Sequence, residues 1–207
     1  MYAVGHFALG YLTGKLASKS LDVNVNLPLL FLASVFPDID ILIPGLVHRG
    51  PLHSVILFCL LFLPIFVIYK KRAAPYFVAV IQHIIIGDYI IGGDLQLLWP
   101  LTPNLYGFHI GVASVTNIVL EWCLFIISMT FMIKTMDIVF LFKPHPSNMI
   151  LAIPVLTVLL PSVISFPLYV PLALLIPNIV YLILFTIPIM IDLKIMLTKT
   201  EKSIAGL

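Results

Sequence analysis

The chain has 207 residues, of which 61% are hydrophobic and only 10% are charged, and its mean hydropathy is +1.16. Soluble domains average roughly half apolar and about a quarter charged residues, so a chain with so few charges cannot cover a water-facing surface. This composition excludes a soluble globular protein and predicts an all-α bundle with the lipid bilayer as its partner. The net charge of +2 says little about other partners, and no nucleic acid is expected.

Seven apolar segments, separated by polar or Pro/Gly-containing breaks, follow one another along the chain. Most approach the ~20 residues that a membrane-spanning helix needs. They predict a single membrane-embedded helical domain, residues 1–207, with about seven spans. The first segment is short and is interrupted by Lys15, and the sixth and seventh contain several prolines that predict kinks. The segments are 2–18, 26–45, 51–69, 73–92, 109–133, 148–165 and 168–191.

The basic residues are distributed unevenly between the two sides of these predicted spans. With seven spans, ten of the eleven Lys and Arg residues fall on one side, which the positive-inside rule makes cytoplasmic. Arg49 is the exception. This pattern predicts a multi-pass protein of the cell (inner or plasma) membrane, with its N-terminus outside and its C-terminus in the cytoplasm.

Five of the six histidines and four aspartates fall at the opposite, extracytoplasmic end of the same spans. Ionisable residues at membrane depth are energetically costly, so by default they mark a functional site. His145, in a loop with lysines, is excluded from it. The residues sorted to the outer end are His6, Asp38, Asp40, His48, His53, His83, Asp88, Asp94 and His109.

The segment FPDID, residues 36–40, places Pro37 inside an apolar span and follows it with two aspartates. The proline breaks the helical hydrogen-bond ladder. Two carboxylates this close together repel each other unless a cation or protons offset their charge. A metal site is therefore the favoured interpretation, and a helix-capping role for Asp38 or Asp40 is the alternative.

The segment HRGPLHS, residues 48–54, has the pattern of a turn that leads into a helix, with Pro51 at the first helical position. His48 can then reach a site from the loop, and His53 can reach it from the helix. Arg49 and the free amides of the helix start predict an anion site, most simply for phosphate. The alternative is an interfacial loop with polar side chains.

The segment QHIIIGDYIIGG, residues 82–93, sets His83 and Asp88 five residues apart in an apolar helix. On a regular α-helix this spacing turns the two side chains about 140° apart. Two possibilities follow: Gly87 permits a bulge that brings the side chains together, or only one of the two residues is a ligand.

Other polar residues have open or minor roles. His6 is equally consistent with packing and with metal ligation, and His109 is consistent with an interfacial position. Glu121 is either a partner that orients a histidine or a residue that pairs with another helix. Asp137 and Asp192 lie among lysines and are predicted to be solvated. Cys59 and Cys123 lie within apolar segments and are predicted to be small core residues.

Taken in order, Gly5-His6, PDID, HRGPLHS and the His/Asp pair followed by GGDLQLLWPLTP resemble the YdjM-like inner-membrane proteins. The resemblance covers about residues 1–110, the motif-bearing core. That family is described as LexA-binding and as distantly similar to zinc-dependent phospholipase C and its nuclease relatives. Two departures stand out: Leu52 replaces the family's usual threonine, and the usual His-x3-Asp spacing is stretched between His83 and Asp88.

The resemblance implies a divalent-metal site and a set of residues for it. Asp38, His53 and His83 are the expected core ligands. Asp40 is expected to act as a base or to orient a ligand, and Arg49 to bind the substrate phosphate. The resemblance also implies that His6, His48 and Asp88 are further ligands, either of the same metal ion or of a second one. It implies that Ser54 binds the substrate.

Histidine nitrogen and aspartate oxygen form a ligand set that suits zinc, with manganese as the alternative. The leading hypothesis is a membrane-embedded, metal-dependent hydrolase of phosphoesters, with a phospholipid or lipid-linked phosphate as substrate. The competing hypothesis is a non-catalytic metal-binding membrane protein or an ion transporter, because His/Asp clusters in membranes also build ion and proton pathways.

Overall fold

The computed structural model describes residues 1–166 and 168–205, with side chains up to residue 198. The described residues form helices joined by loops, with two isolated β-bridges and no strand, so the all-α prediction is confirmed. The α-helices are α1 (Ala3–Ser20), α2 (Leu27–Val35), α3 (Val55–Tyr69), α4 (Ala74–Gln82), α5 (Val115–Lys134), α6 (Asp137–Leu141), α7 (Ala152–Pro154), α8 (Leu160–Ile164) and α9 (Leu172–Ala205). The 3₁₀ helices are Phe36–Leu42, Pro51–His53, Lys70–Ala73 and Pro146–Leu151, and the π-helices are His83–Ile90 and Val155–Leu159.

Helix α1 packs against α2, α4, α5 and α9. Two of its glycines allow α2 to approach closely. A Cβ on Gly10 would lie 2.3 Å from Ser34 Cβ, and one on Gly14 would lie 2.4 Å from Leu30 Cδ1. Small residues four apart are a common means by which membrane helices pack closely together. This contact holds α2, and the segment that follows it, against α1.

Buried aromatic side chains fill the middle of the bundle. The ring centroid of Phe31 lies 4.7 Å from that of Phe185 and 5.9 Å from that of Tyr11. Phe7 meets Phe185 edge-on at 5.1 Å, and all four side chains are fully buried. Because Phe7 and Tyr11 lie on α1 between His6 and Lys15, this aromatic block lies between the two ends of that helix.

The basic loops meet at one end of the bundle. Lys15 Nζ lies 2.9 Å from a carboxylate oxygen of Asp137, and Lys71 donates to the carbonyl oxygen of Leu21 at 2.9 Å. The loops after α1, between α3 and α4, and after α5 therefore lie together. His6 is at the other end of α1.

The burial of four residues differs from the sequence predictions. Asp137 and Asp192 are buried rather than solvated. Lys15 and the hydroxyl of Tyr11 both donate to the Asp137 carboxylate. The backbone N–H of His145 donates to Asp192 at 3.1 Å. Cys59 and Cys123 are exposed rather than in the core. Both lie on strongly apolar helices, where an exposed position can face lipid and a thiol does not need a core.

Three described stretches are long and apolar enough to cross a membrane. They are Val115–Lys134, Pro146–Ile164 and Leu172–Thr198. The sixth predicted segment is divided into short 3₁₀, α and π stretches, in keeping with its prolines, whereas α9 continues through Pro177 and Pro188. These three candidate spans agree with the predicted helical membrane protein, and the number of seven spans stays a proposal.

Candidate metal centre

Asp38, His53, His83 and Asp88 converge at the end of the bundle opposite the basic loops. One ligand atom from each lies within 4.8 Å of the others, and all four residues are buried. His53 Nε2 lies 3.0 Å from Asp88 Oδ2 and 3.5 Å from Asp38 Oδ1. His83 Nε2 lies 3.3 Å and 3.4 Å from the same two oxygens. We call these four residues the ligand group, because together they can hold a metal ion.

The short distances within the ligand group are not those of aligned hydrogen bonds. His53 Nε2, His83 Nε2 and Asp88 Oδ2 are buried and have no hydrogen-bond partner among the described residues. Such orphaned buried atoms are rare, and each destabilises a protein by about 1–3 kcal/mol. The three atoms lie around a common space rather than along one another's bond directions, and this arrangement fits a cation.

Asp38 enters the ligand group because α2 ends early. Helix α2 stops at Val35, and Pro37, which lacks an N–H, lies at the start of the tighter 3₁₀ helix. This change of helix type places both Asp38 and Asp40 in the interior. The break predicted from FPDID is therefore present, and it separates the roles of the two aspartates: Asp38 joins the ligand group and Asp40 lies behind His53.

His83 and Asp88 reach the same centre because α4 changes at His83 into a π-helix that ends at Ile90. A π-helix bonds residue i to residue i+5, so residues five apart face the same side. Of the two possibilities left open by the sequence, the fold adopts the bulge. Gly87 lies within this π-helix against His6, where a Cβ would come 2.2 Å from His6 Cε1.

A backbone carbonyl orients His83. Its Nδ1 lies 2.8 Å from the carbonyl oxygen of Ser34. A carbonyl oxygen can only accept, so Nδ1 carries the proton and the lone pair of Nε2 faces the ligand group. The sequence carries no signal for Ser34, because the contact is made by its backbone and depends on the close packing of α1, α2 and α4.

Asp40 contacts the other face of His53 and the loop that precedes it. Its Oδ1 lies 3.0 Å from His48 Nδ1, and its Oδ2 accepts from the backbone N–H of Arg49 at 3.2 Å. The same Oδ2 lies 3.2 Å from His53 Nδ1, close to the ring but not in an aligned hydrogen bond. A carboxylate behind a metal-binding histidine typically orients the ring. Asp40, His48 and His53 also form a second set of atoms that could hold a metal ion, so the alternative of a second ion stays open.

His6 lies beside the ligand group without joining it. Its ring stacks on that of His83 with the centroids 3.8 Å apart, and its Nε2 lies 4.0 Å from Asp88 Oδ1. Its Nδ1 is buried and has no hydrogen-bond partner in the described part of the chain. The structure thus gives His6 a packing contact with a ligand.

Glu121 contacts the start of the helix that carries His6. Its Oε1 accepts from the backbone N–H of Tyr2 at 2.8 Å, and its Oε2 accepts from that of Gly5 at 2.9 Å. The first amides of a helix lack internal partners and attract negative charge. Glu121 therefore pairs with another helix, which is one of the two roles that the sequence left open, and it does not orient a histidine.

Arg49 adopts a left-handed backbone conformation, with a φ of 65°, and its Nη2 lies 3.2 Å from Asp88 Oδ1. Its guanidinium packs on Gly92, where a Cβ would lie 2.3 Å from Nη2. The side chain is 20% exposed. A guanidinium has several N–H donors in a planar fork, so pairing with Asp88 leaves donors for an anion.

Ser54 has contacts different from those expected for a substrate-binding residue. Its hydroxyl accepts from the backbone N–H of Leu57 at 3.2 Å and caps α3. The same hydroxyl donates to the carbonyl oxygen of Trp99 at 2.5 Å, and the residue is fully buried. The structure therefore assigns Ser54 to capping.

His109 pairs with Asp94 at 3.2 Å on the exposed surface, and neither residue joins the ligand group.

A cavity of about 60 Å³ lies beside the ligand group and has space for a few water molecules. One wall consists of polar residues predicted for the site, a second wall comes from α8 and nearby residues, and residues 1–3 complete the lining. No polar signal in the sequence marks that second wall, because it is mainly apolar. The polar residues are His6, Asp38, His48, Arg49 and Asp88, and the second wall includes Val158, Ser162, Leu168 and Tyr169.

A comparison with protein families matches residues 1–171 to the YdjM inner membrane protein family. The chain belongs to this family. The match extends beyond the motif-bearing core of about 110 residues and includes α8, which lines the cavity. Searches of curated proteins and of solved structures found no match. Membership identifies an inner-membrane protein, and the similarity to phospholipase C stays a prediction.

Replacing Asp40 with asparagine in this YdjM family protein is expected to lower the metal affinity of the centre about 10- to 100-fold, because His53 loses its orienting carboxylate. Competition with a chelator, on detergent-purified protein, measures the affinity. Asp94→Asn is the matched control, since Asp94 also pairs with a histidine, but on the exposed surface. Unchanged affinity in Asp40→Asn, or an equal loss in both variants, would contradict the orienting role.

Proposed function

We propose that this protein is a membrane-embedded, metal-dependent hydrolase of phosphoesters, with a lipid or lipid-linked substrate. The observation that carries the proposal is the buried ligand group with its orphaned atoms. Asp38, His53, His83 and Asp88 would hold the ion. Imidazole nitrogen and carboxylate oxygen suit zinc, with manganese as the alternative.

A bound divalent cation would polarise a phosphoryl oxygen and activate a water for attack. The chain's own residues would arrange the reactants around it. Asp40 would keep His53 in position, since its oxygens are already engaged with ring and backbone nitrogens, and this favours orientation over a role as base. Arg49 lines the cavity and would bind a phosphate oxygen through donors that Asp88 does not use.

We propose that the chain crosses the membrane with about seven spans, with its N-terminus outside and its C-terminus in the cytoplasm. The contacts among the basic loops support this arrangement, because they gather the lysines at one end of the bundle. Under the positive-inside rule that end is cytoplasmic. The ligand group, at the opposite end, would then open to the extracytoplasmic side.

The competing proposal is a non-catalytic metal-binding protein or an ion transporter. A transport pathway needs polar groups that continue across the bundle. Between the ligand group and the basic end lies the aromatic block, whose side chains are fully buried and make close ring contacts. This apolar barrier favours a site that is open on one side only, which suits hydrolysis better than transport.

The test is hydrolysis by detergent-purified protein loaded with zinc or manganese, with phosphatidic acid and a soluble aryl phosphodiester as probes. Arg49→Ala is expected to reduce the rate about 10- to 100-fold, because a hydrogen bond to a charged group contributes about 1.5–3 kcal/mol. Its metal content should not change. Arg72→Ala, at the basic end, is the matched control and should be neutral.

One result would contradict the proposed role of Arg49, and another would contradict the proposed hydrolase activity. Loss of the metal in Arg49→Ala would make Arg49 part of the metal site rather than a phosphate-binding residue. Absence of hydrolysis by the metal-loaded protein with both probes would favour the non-catalytic alternative.

A further inference from the structure

An apolar groove of about 370 Å³ lies between α2, α3 and α4. Aliphatic and aromatic side chains line it, and its volume is within the roughly 300–1,000 Å³ typical of small-molecule sites. The chemistry proposed for the metal centre does not use it.

The groove adjoins the ligand group. Each of its three helical segments contributes a lining residue that is close in sequence to a ligand. Phe36 lies two residues from Asp38 in one 3₁₀ helix, and Val80 lies three residues from His83 at the end of α4, so each of these two pairs is about 4–5 Å apart along the helix axis. Phe58 lies one turn into α3, which begins two residues after His53. The rings of Phe36 and Phe58 meet edge-on at 6.1 Å at this end. The pairs are Phe36 and Asp38, Phe58 and His53, and Val80 and His83.

The groove opens on the outside of the bundle. Of the α3 side chains, Phe58 and Phe62 are buried, and both line the groove. Leu29 and Leu61 line it as well, and they are 38% and 46% exposed. The groove therefore lies at the seam between α3 and the rest of the bundle, on an apolar surface of the kind that faces acyl chains in a bilayer.

We infer that this groove binds one acyl chain of a phospholipid substrate whose phosphate lies at the metal centre. The inference rests on the proposed function. A phospholipid has a phosphate near an apolar chain, and the fold has a phosphate-directed arginine and metal ligands at one end of an apolar groove. The groove would hold the chain of the substrate, as distinct from lipid that only surrounds the protein.

The test uses phosphatidic acid with a photoreactive diazirine on one acyl chain, and diacylglycerol with the same chain but no phosphate. The wild-type protein is irradiated in lipid nanodiscs, and the labelled residues are identified by mass spectrometry. Leu61→Trp narrows the groove at a partly exposed position, so the protein should still fold. Leu60→Trp is the matched control, because Leu60 is the neighbouring residue, is 52% exposed and is not among the described lining residues.

Phosphatidic acid is expected to label the groove several-fold more than diacylglycerol does, and Leu61→Trp, but not Leu60→Trp, should remove this excess. Bound metal, measured in parallel, should be equal in the two variants. If the two lipids label the groove equally, or if Leu61→Trp and Leu60→Trp lose the excess labelling equally, the label reports lipid that only surrounds the protein. Either result would overturn the inference. Absence of groove labelling by either lipid would overturn it as well.

The same measurements separate this inference from the proposed function. Specific groove labelling without hydrolysis by the metal-loaded protein would support a lipid-binding groove and contradict the hydrolase. Hydrolysis of the soluble phosphodiester without specific groove labelling would support the hydrolase and contradict the groove.

Discussion

Replacing His53 with alanine is expected to abolish metal binding at the centre, and Asp38→Ala is expected to do the same. Each substitution removes one ligand atom from the buried group of four. The loss should exceed the roughly 10- to 100-fold effect of removing an orienting partner. Elemental analysis of detergent-purified protein, after loading with zinc or manganese and removal of free metal, measures the bound ion.

His109→Ala and Asp94→Ala are the matched controls for these two variants, because both residues are exposed and pair with each other. Their metal content should equal that of the wild type. Circular dichroism should confirm that all variants remain helical. Metal that persists in both His53→Ala and Asp38→Ala, or that is lost equally in the controls, would refute the ligand group.

Replacing Gly87 with alanine is expected to weaken metal binding and to lower the melting temperature. The new Cβ would lie 2.2 Å from His6 Cε1 and 2.6 Å from His6 Nδ1, so the ring must move. His6 stacks on the ligand His83, so its displacement should disturb the centre. Overpacking of this kind destabilises a protein by about 1–3 kcal/mol, which corresponds to a shift of several degrees.

Gly111→Ala is the control for this substitution, because no described neighbour lies within 4 Å of the Cβ it would add. A second variant, Gly87→Ala combined with His6→Ala, removes the ring that clashes and should recover metal binding. If metal binding is intact in Gly87→Ala, the packing account of His6 is wrong. If the double variant binds less metal than Gly87→Ala alone, His6 is itself a ligand.

The residues of the ligand group could be found from the sequence because charged and histidine side chains are rare within its apolar segments. In a chain with 10% charged residues, Asp38, His53, His83 and Asp88 stand out within apolar segments, where each is costly unless it has a function. The proline of FPDID likewise predicted where α2 ends, since a missing N–H is a local property of the backbone.

Contacts that depend on packing had no comparable signal. The π-helix that unites His83 with Asp88 could be named only as one of two possibilities, because local spacing allows both. The Ser34 carbonyl that orients His83 is a backbone group, and every residue has one. The hydroxyl of Ser54 resembles a substrate contact in the motif, yet in the fold it bonds the backbone of α3 and of the loop after the His83–Ile90 π-helix.

By itself, the sequence determined that this protein is helical and membrane-bound, and which polar side chains are candidates for its site. These properties follow from the transfer of side chains between water and lipid, which depends on composition and order along the chain. The tertiary structure alone decided which candidates share one space, which of them orient or pack against the others, and that an apolar groove adjoins them. Those features depend on distances between segments far apart in the chain, and close packing sets such distances.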